Sequence, residues 1–233
     1  MENVFNDFFV FSFVAHARSE KDSYRNRRRN LWLTLQKHSW FEKGETFNSV
    51  EKGVIYPVIH RLHLNTNKVA LLEPSELGDD FDLRQGLYTE IHRFQPPNFA
   101  SASRAEDDRA CIFVGFVCLE NALDSVLEES WKEWTGARLM YSNLSPDFSV
   151  SRLSFYRRID PPDPDVFMYV LLVECADVTS RNIFRLLNFV QKLRVERVFG
   201  YLSVYKTEST LLTSSLINGM LMESDDANGK VDI

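Results

Sequence analysis

The chain lacks the features that mark several common functional classes. Its 233 residues include only three cysteines, Cys111, Cys118 and Cys175. Their odd number and wide spacing give neither a disulfide framework nor a zinc-binding pattern, and they suit a reducing compartment. No apolar stretch approaches the roughly 20 residues that a membrane-spanning helix needs. The net charge of −6 disfavours a general nucleic-acid-binding surface.

Signatures of catalysis are missing as well. The sequence contains no G-x-S-x-G nucleophile motif, no P-loop and no G-x-G-x-x-G turn. His60 and His63 are three residues apart, but the stretch Val54–Leu64 favours a strand, in which these two side chains face opposite sides. The sequence therefore predicts a protein that is not an enzyme, with no catalytic residue, no metal and no cofactor.

What the chain has is enough apolar material for a core. It is 44% hydrophobic and 13% aromatic, with 18 phenylalanines, which argues against wholesale disorder. Near the N-terminus, Phe8–Val14 is apolar and predicts a strand or a short buried helix. The acidic residues Glu2 and Asp7 beside it are not the positive segment that opens a secretory signal.

The pattern divides the chain into an N-terminal region, 1–110, that is partly irregular, and an α/β domain, 111–233. In the N-terminal region the pattern predicts short strands at Val54–Leu64 and Lys68–Leu72 and a polar loop at Gln95–Asp108. No internal repeat is visible in the sequence.

In the C-terminal domain, strands and helices alternate. The predicted strands are Cys111–Leu119, Ala137–Tyr141, Ser151–Arg158, Val166–Val173, Val198–Val204 and Met220–Met222. The predicted helices are Glu120–Trp134, a helix capped by Thr179 or Ser180, and Thr207–Asn218. This order predicts an α/β fold with a mixed β-sheet and helices packed mainly on one face.

Between Val166 and Ser224 the order of apolar residues matches a known pattern, once one-residue gaps are allowed. The matching residues are Phe184, Leu186, Leu187, Phe189, Leu193, Arg194, Val198, Phe199, Leu211, Leu212 and Gly219. In this segment the chain resembles the ornithine decarboxylase antizymes. The resemblance covers about a quarter of the chain and implies an antizyme/acetyltransferase-like core.

The resemblance also implies a function. An antizyme binds the ornithine decarboxylase monomer, blocks homodimerisation and promotes its ubiquitin-independent degradation by the proteasome. This inhibition serves polyamine feedback control, and antizyme synthesis uses ribosomal frameshifting. A cytoplasmic protein that also enters the nucleus, with no membrane association, is implied too.

Partner-binding residues follow from the same resemblance. The first matching helix is expected to present Arg185, Asn188, Gln191 and Lys192 to solvent. Three of these, Asn188, Gln191 and Lys192, stand where family members carry acids. Glu128 and Glu129, with Asp124 and Glu133 on a neighbouring predicted helix, are expected to supply the missing negative charge.

Two alternatives remain open from the residues. One is an α/β binding module that contacts nucleic acid through Arg25–Arg29, beside Trp32 and Trp40, which offer stacking surfaces. The other is an acyltransferase-like enzyme. That alternative is disfavoured because Gly200 is the only glycine where such enzymes have a glycine-rich turn.

Overall fold

The fold is an antiparallel β-barrel with helices on its outer surface. The computed structural model describes residues 7–17, 23–64, 71–97, 108–117, 125–144, 147–196 and 200–208. The strands within them are β1 (Phe8–His16), β2 (Glu45–Ser49), β3 (Val58–Leu64), β4 (Phe81–Phe94), β5 (Ala110–Phe116), β6 (Ser149–Asp160), β7 (Tyr169–Ala176) and β8 (Tyr201–Glu208). The helices within them are α1 (Tyr24–Leu35), α2 (Ser125–Glu129), α3 (Trp131–Trp134), α4 (Ala137–Asn143) and α5 (Ile183–Glu196), with a 3-10 turn at Pro74–Leu77.

The barrel consists of two halves with the same strand topology. Its order is β1-β3-β2-β8-β5-β7-β6-β4, and every neighbouring pair is antiparallel. Within the first half the order is β4-β1-β3-β2, and within the second it is β8-β5-β7-β6. The pairs β2–β8 and β4–β6 join the halves. Because the sheet closes on itself, it leaves no unpaired edge strand.

Aromatic side chains fill the inside of the barrel. Phe11, Phe13 and Phe113 are at most 1% exposed, and the Phe113 ring lies 6.4 Å and 5.9 Å from the rings of Phe11 and Phe13. The rings of Tyr88 and Tyr156 each form a T-shaped pair with the Phe11 ring, with a centroid distance of 5.1 Å. An eight-stranded barrel has an interior just wide enough to be filled by side chains. The interior is therefore a packed core, and any ligand must bind elsewhere.

A charged cluster closes one end of this core. The guanidinium of Arg61, which is 6% exposed, donates to the Tyr156 hydroxyl at 2.8 Å and forms an ion pair with Glu45. It also lies 3.5 Å from Glu174, which accepts a 2.5 Å hydrogen bond from Arg152. The cluster joins β2, β3, β6 and β7, so it ties the two halves together across the barrel.

Helices cover the outer face of both halves, but the two layers differ. The layer over the second half is large and apolar. Its buried residues include Trp131, Met140, Phe155, Leu171, Leu186, Val190, Leu193 and Val204. Over the first half, α1 packs a smaller apolar cluster made by Val14, Leu31, Leu35, Phe41, Val58, Leu77, Phe81 and Leu83.

The predicted fold class is wrong in its sheet. The structure has a closed antiparallel barrel with helices outside both halves, and not a mixed sheet with helices mainly on one face. The predicted strand and helix that open the segment from Val166 are present as β7 and α5, and the next strand is present as β8. The β-α-β order suggested parallel neighbours. In the structure, however, β5 lies between β7 and β8 and is antiparallel to both.

One further element prediction is wrong, a second is wrong at its start, and two strands, β2 and β4, were missed. Ala137–Tyr141 is helical, because Ala137 and Met140 are buried at helical spacing in α4. The first two residues of the helix predicted at Thr207–Asn218 belong to β8. Its other residues, with Leu211 and Leu212, lie outside the described residues, as does Gly219. The long strand β4 was missed because polar residues, including the buried Gln85, interrupt its apolar alternation.

Candidate functional site

Most of the buried side-chain polar atoms that have no hydrogen-bond partner among the described residues lie in the helix–sheet layer of the first half. Six of the seven are there, namely His16 Nε2, Arg27 Nε, His60 Nδ1, Gln85 Oε1 and both side-chain polar atoms of Asn48, and the seventh is Ser154 Oγ on β6. Buried polar atoms in folded proteins are nearly always hydrogen-bonded, so exceptions gathered in one layer need an explanation. The corresponding layer of the second half is closed by apolar packing.

Three residues on adjacent strands form a polar row beneath the segment that follows α1. Ser12 on β1 stands opposite His60 on β3 and opposite Gln85 on β4. The Ser12 hydroxyl accepts hydrogen bonds from Gln85 Nε2 at 2.7 Å and from Trp40 Nε1 at 3.3 Å. We refer to Ser12, His60 and Gln85 as the polar row. The hydrogen bond that Trp40 donates to Ser12 holds that segment against the sheet.

His60 is neutral in this environment. Its Nε2 lies 2.5 Å from the carbonyl oxygen of Lys43, which can only accept, so Nε2 carries the hydrogen. Burial lowers the pKa of His60 to about 4, although the Lys43 carbonyl and the charge of Glu45 act in the opposite direction. At neutral pH its Nδ1 is therefore a bare acceptor inside the layer.

We expect the protein to lose stability in mild acid because of His60. The unfolded chain takes up a proton at His60 near pH 6.5, whereas the folded chain does so only near pH 4. The unfolded state therefore binds more protons in this window, and stability falls as pH falls. The loss amounts to about 2–3 kcal/mol across the window. Urea unfolding at several pH values measures it.

Two variants separate His60 from other acid effects. His60→Gln should flatten the dependence between pH 6.5 and 4. His63→Gln serves as the matched control, since His63 lies on the same strand with a side chain 50% exposed. An unchanged slope in His60→Gln would show that His60 is not the group responsible.

A cavity of about 1010 Å³ opens at the edge of the same layer. It lies between the end of β1, the first turns of α1, the start of β4 and the loop that joins β2 to β3. Its lining residues are Ala15, His16, Ala17, Arg27, Gly53, Val54, Ile55, Pro57, Phe81 and Asp82. The volume is at the upper end of the range of about 300–1,000 Å³ found for small-molecule sites.

The β2–β3 loop that forms one wall of the cavity is anchored at its base. Its turn passes through Gly53, whose φ of +77° suits glycine. Before the turn, the Glu51 carboxylate accepts hydrogen bonds from Arg194, from the Ser203 hydroxyl and from the Val204 N–H. Burial alone would raise the pKa of Glu51, but these bonds hold it below its ordinary value. The wall is thereby fixed to α5 and β8.

His16 and Arg27 bring polar atoms to the cavity. His16 is the last residue of β1, and its ring packs 5.7 Å from the ring of Phe81. Arg27 lies in the first turns of α1, whose N-cap Ser23 accepts from the Asn26 N–H at 3.3 Å. Burial and then the charge of Arg27 lower the pKa of His16. A cation and a neutral imidazole therefore border the cavity near pH 7.

The one acidic residue among the described lining residues already has a partner. Asp82 lies 3.5 Å from Arg84, which makes a closer ion pair with Asp165 at 2.9 Å. By contrast, Arg27 makes no ion pair with any residue in the described parts of the chain. The cavity therefore carries a positive charge that the described neighbours do not neutralise.

The residues predicted to bind a partner lie in the second half, and none of them lines this cavity. Arg185, Asn188, Gln191 and Lys192 are exposed on α5, and Arg185 forms an ion pair with Asp147. Whether they bind a partner stays a prediction.

The two predicted acidic positions on α2 differ from each other. Glu129 is exposed, but Glu128 accepts from Arg157 at 2.9 Å and from the Tyr169 hydroxyl at 3.2 Å. Asp124 lies outside the described residues. Glu128 is therefore engaged in holding α2 to the barrel.

In the described parts of the chain, no three His, Cys, Asp or Glu side chains are grouped so that they could hold a metal ion. The helices in the same ranges include none with the length and apolarity to cross a membrane.

Comparison with known proteins relates the chain to one family model and to solved structures. A model described as "Domain of unknown function (DUF7153)" matches residues 41–207. An anthrone oxidase-like protein is 10% identical, with 87% of this chain and 92% of that chain covered and a TM-score of 0.54. No curated protein matches the chain.

Chlorite dismutases give weaker structural matches. A putative one is 10% identical over 90% of this chain and 99% of that chain, with a TM-score of 0.44. A mutant enzyme from Candidatus Nitrospira defluvii is 12% identical over 90% and 94%, with a TM-score of 0.42. At such identities the likeness concerns the fold alone, and it rests on the anthrone oxidase-like protein.

These findings overturn the antizyme interpretation. The family model and the barrel are not those of an antizyme, so ornithine decarboxylase inhibition, proteasomal delivery and frameshifting are withdrawn. The matched residues Leu186 and Leu193 are buried against the sheet, as apolar residues are in any helix that covers a sheet. The nucleic-acid alternative is unsupported as well, and Arg27 of that basic run lines the cavity.

Sequence reasoning missed His16 as a site residue and placed Arg27 in the Arg25–Arg29 region as a candidate nucleic-acid contact. The available signal was weak. A histidine ends an apolar strand and an arginine lies eleven residues later, in the next helix. Only their common position at the cavity distinguishes them from ordinary surface residues.

Proposed function

The chain belongs to the DUF7153 family, and we propose that it is a small-molecule-binding protein whose site is the cavity beside α1. The observation that carries this proposal is the cavity itself, about 1010 Å³ in volume and walled in part by Val54, Ile55, Pro57 and Phe81. Small-molecule sites are typically apolar clefts of this kind with a few polar groups.

The rest of the barrel supports this location. The interior is filled by interlocking aromatic rings, and the second helix–sheet layer is closed by apolar side chains. The first layer combines a cavity with polar atoms that have no hydrogen-bond partner among the residues that the structure describes. The two halves share one strand topology, but the features of a ligand-binding site are found in the first half.

An aromatic compound is the first ligand class to test. The apolar wall includes the Phe81 ring and the Ile55 side chain, which is 63% exposed. The solved neighbour of similar fold is described as anthrone oxidase-like, which also directs attention to aromatic ring systems. The prediction that this chain is not an enzyme stays a prediction, and the binding proposal does not require turnover.

Titration with 2-naphthamide and 2-naphthoate, followed by amide NMR shifts, tests the proposal. We expect at least one probe to bind, with shifts centred on residues 15–17 and 53–57. Ala17→Trp, which places a large ring at the lining, should weaken binding at least tenfold.

Val126→Trp is the matched control, because Val126 is 70% exposed on α2 and does not line the cavity. It should bind like the unmodified protein. Failure of both probes to bind at millimolar concentration, or shifts confined to the second half, would contradict the proposal.

A further inference from the structure

Two nitrogen atoms at the cavity are buried and have no hydrogen-bond partner in the described parts of the chain. They are Arg27 Nε and His16 Nε2, from two different elements, and each residue lines the cavity. An arginine Nε–H is always a donor and carries part of a full positive charge. A buried charged donor without an acceptor is costly, so a structure that retains one is expected to supply an acceptor from outside the chain.

We infer that the ligand is an apolar carboxylic acid whose carboxylate pairs with Arg27 and contacts His16, an inference that rests on the binding function proposed above. The apolar wall would hold the hydrocarbon part of the acid. A carboxylate offers two acceptor oxygens, and charge-assisted hydrogen bonds to arginine are among the strong ones in proteins. This arrangement would satisfy both nitrogens that the described residues leave without partners.

The charges around the cavity favour a monoanion. The charged or titratable side chains of the described lining are His16 from β1, Arg27 from α1 and Asp82 from β4. The Asp82 carboxylate forms an ion pair with Arg84. The lining part of the β2–β3 loop, Gly53–Ile55 and Pro57, has no titratable side chain, and Glu51 before it is bound by Arg194. One unneutralised cation matches a carboxylate better than a phosphate dianion.

His16 couples this binding to pH. In the free protein, burial and the charge of Arg27 keep the imidazole neutral near pH 7. A bound carboxylate offsets the charge of Arg27 and favours the imidazolium, so the complex takes up a proton. Affinity should then be highest in mild acid and should fall as pH rises through the pKa of His16 in the complex. Arg84 stays charged throughout this range, because its hydrogen bond to Asp165 raises its pKa above the ordinary arginine value.

Calorimetry with 2-naphthoate and its neutral analogue 2-naphthamide tests the inference. We expect the acid to bind at least tenfold more tightly than the amide at pH 6. Titrations in two buffers with different ionisation enthalpies should show proton uptake for the acid and none for the amide. His16→Gln should abolish the uptake.

Variants at α1 identify the partner of the carboxylate. Arg27→Gln should weaken binding of the acid at least tenfold and change the affinity for the amide less than twofold. Arg27→Lys should recover part of the lost affinity for the acid. Arg29→Gln removes an exposed charge from the same helix and should leave the affinity for both probes unchanged. Retained thermal unfolding temperatures show that the variants fold.

Each outcome separates this inference from the binding function. If acid and amide bind equally, or if Arg27→Gln weakens both alike, the carboxylate assignment is wrong while the cavity remains a binding site. If neither probe binds, the binding function itself is contradicted. Binding of the acid without proton uptake would overturn the role given to His16.

Discussion

Truncating Phe113 to alanine should lower the free energy of unfolding by about 3–5 kcal/mol, the range found for large buried rings. Phe113 is 0% exposed, and its ring contacts those of Phe13, Phe167 and Tyr205 at 5.9–6.0 Å. The strands around it are hydrogen-bonded into a closed ring, so the barrel cannot contract to fill the space. Urea denaturation at pH 7 measures the change.

A matched control tests whether burial is the cause. Phe184→Ala removes the same atoms from a side chain that is 70% exposed on α5, and it should cost less than about 0.5 kcal/mol, as surface substitutions usually do. A loss below about 1 kcal/mol for Phe113→Ala would contradict a packed barrel interior. Because the cavity lies outside the barrel core, 2-naphthoate binding to Phe113→Leu should be unchanged if that variant remains folded.

Replacing Arg61 with alanine should cost about 3–4 kcal/mol, within the range expected when one partner of a buried ion pair is removed. The change removes the hydrogen bond to the Tyr156 hydroxyl and the contacts of the guanidinium with Phe9 and Phe47, whose ring centroids lie 6.0 Å and 5.5 Å from it. The two carboxylates left behind limit the loss of stability. Glu174 keeps its ion pair with Arg152, and Glu45 is 47% exposed, so water can solvate it. Urea denaturation again gives the value.

Two variants show how much of this effect is packing. Arg61→Met keeps a long apolar side chain in the same space and should lose less than Arg61→Ala. Arg185→Ala removes an exposed arginine that also has an acidic partner, and it should stay within about 0.5 kcal/mol of the parent, like other surface changes. A cost for Arg61→Ala as small as that of Arg185→Ala would show that the charged cluster does not hold the halves together.

The difference between the two halves connects stability with function. Both place helices against the outer face of a four-stranded sheet, and the second seals that layer with apolar side chains. The first keeps the polar row, neutral His60 and the cavity in the same layer. Stability and ligand binding can therefore be perturbed separately, by variants inside the barrel and by variants at the cavity.

The amino-acid sequence by itself determined several local features of this protein. The apolar run at Phe8–Val14 predicted a strand or a short buried helix, and it is the strand β1. The run from Val166 predicted the strand that is β7, and the periodicity of Leu186, Val190 and Leu193 predicted the helix α5. These features depend on neighbours a few residues apart, through the alternation of a strand and the 3.6-residue turn of a helix. The predicted opposition of His60 and His63 is of the same kind, and it is confirmed by one buried and one exposed side chain on β3.

Only the tertiary structure decided which strands pair, and therefore the fold class and the site. Strand β1 lies between β3 and β4, and β2 meets β8 from the far end of the chain. Strand partners are chosen by long-range packing and by closure of the ring, which leave no local periodicity in the sequence. His16 and Arg27 come from separate elements, so their common cavity exists only because α1 folds back over the end of β1. The antizyme resemblance failed for the same reason, since a helix that covers a sheet needs similar apolar spacing whatever the pairing of the strands beneath it.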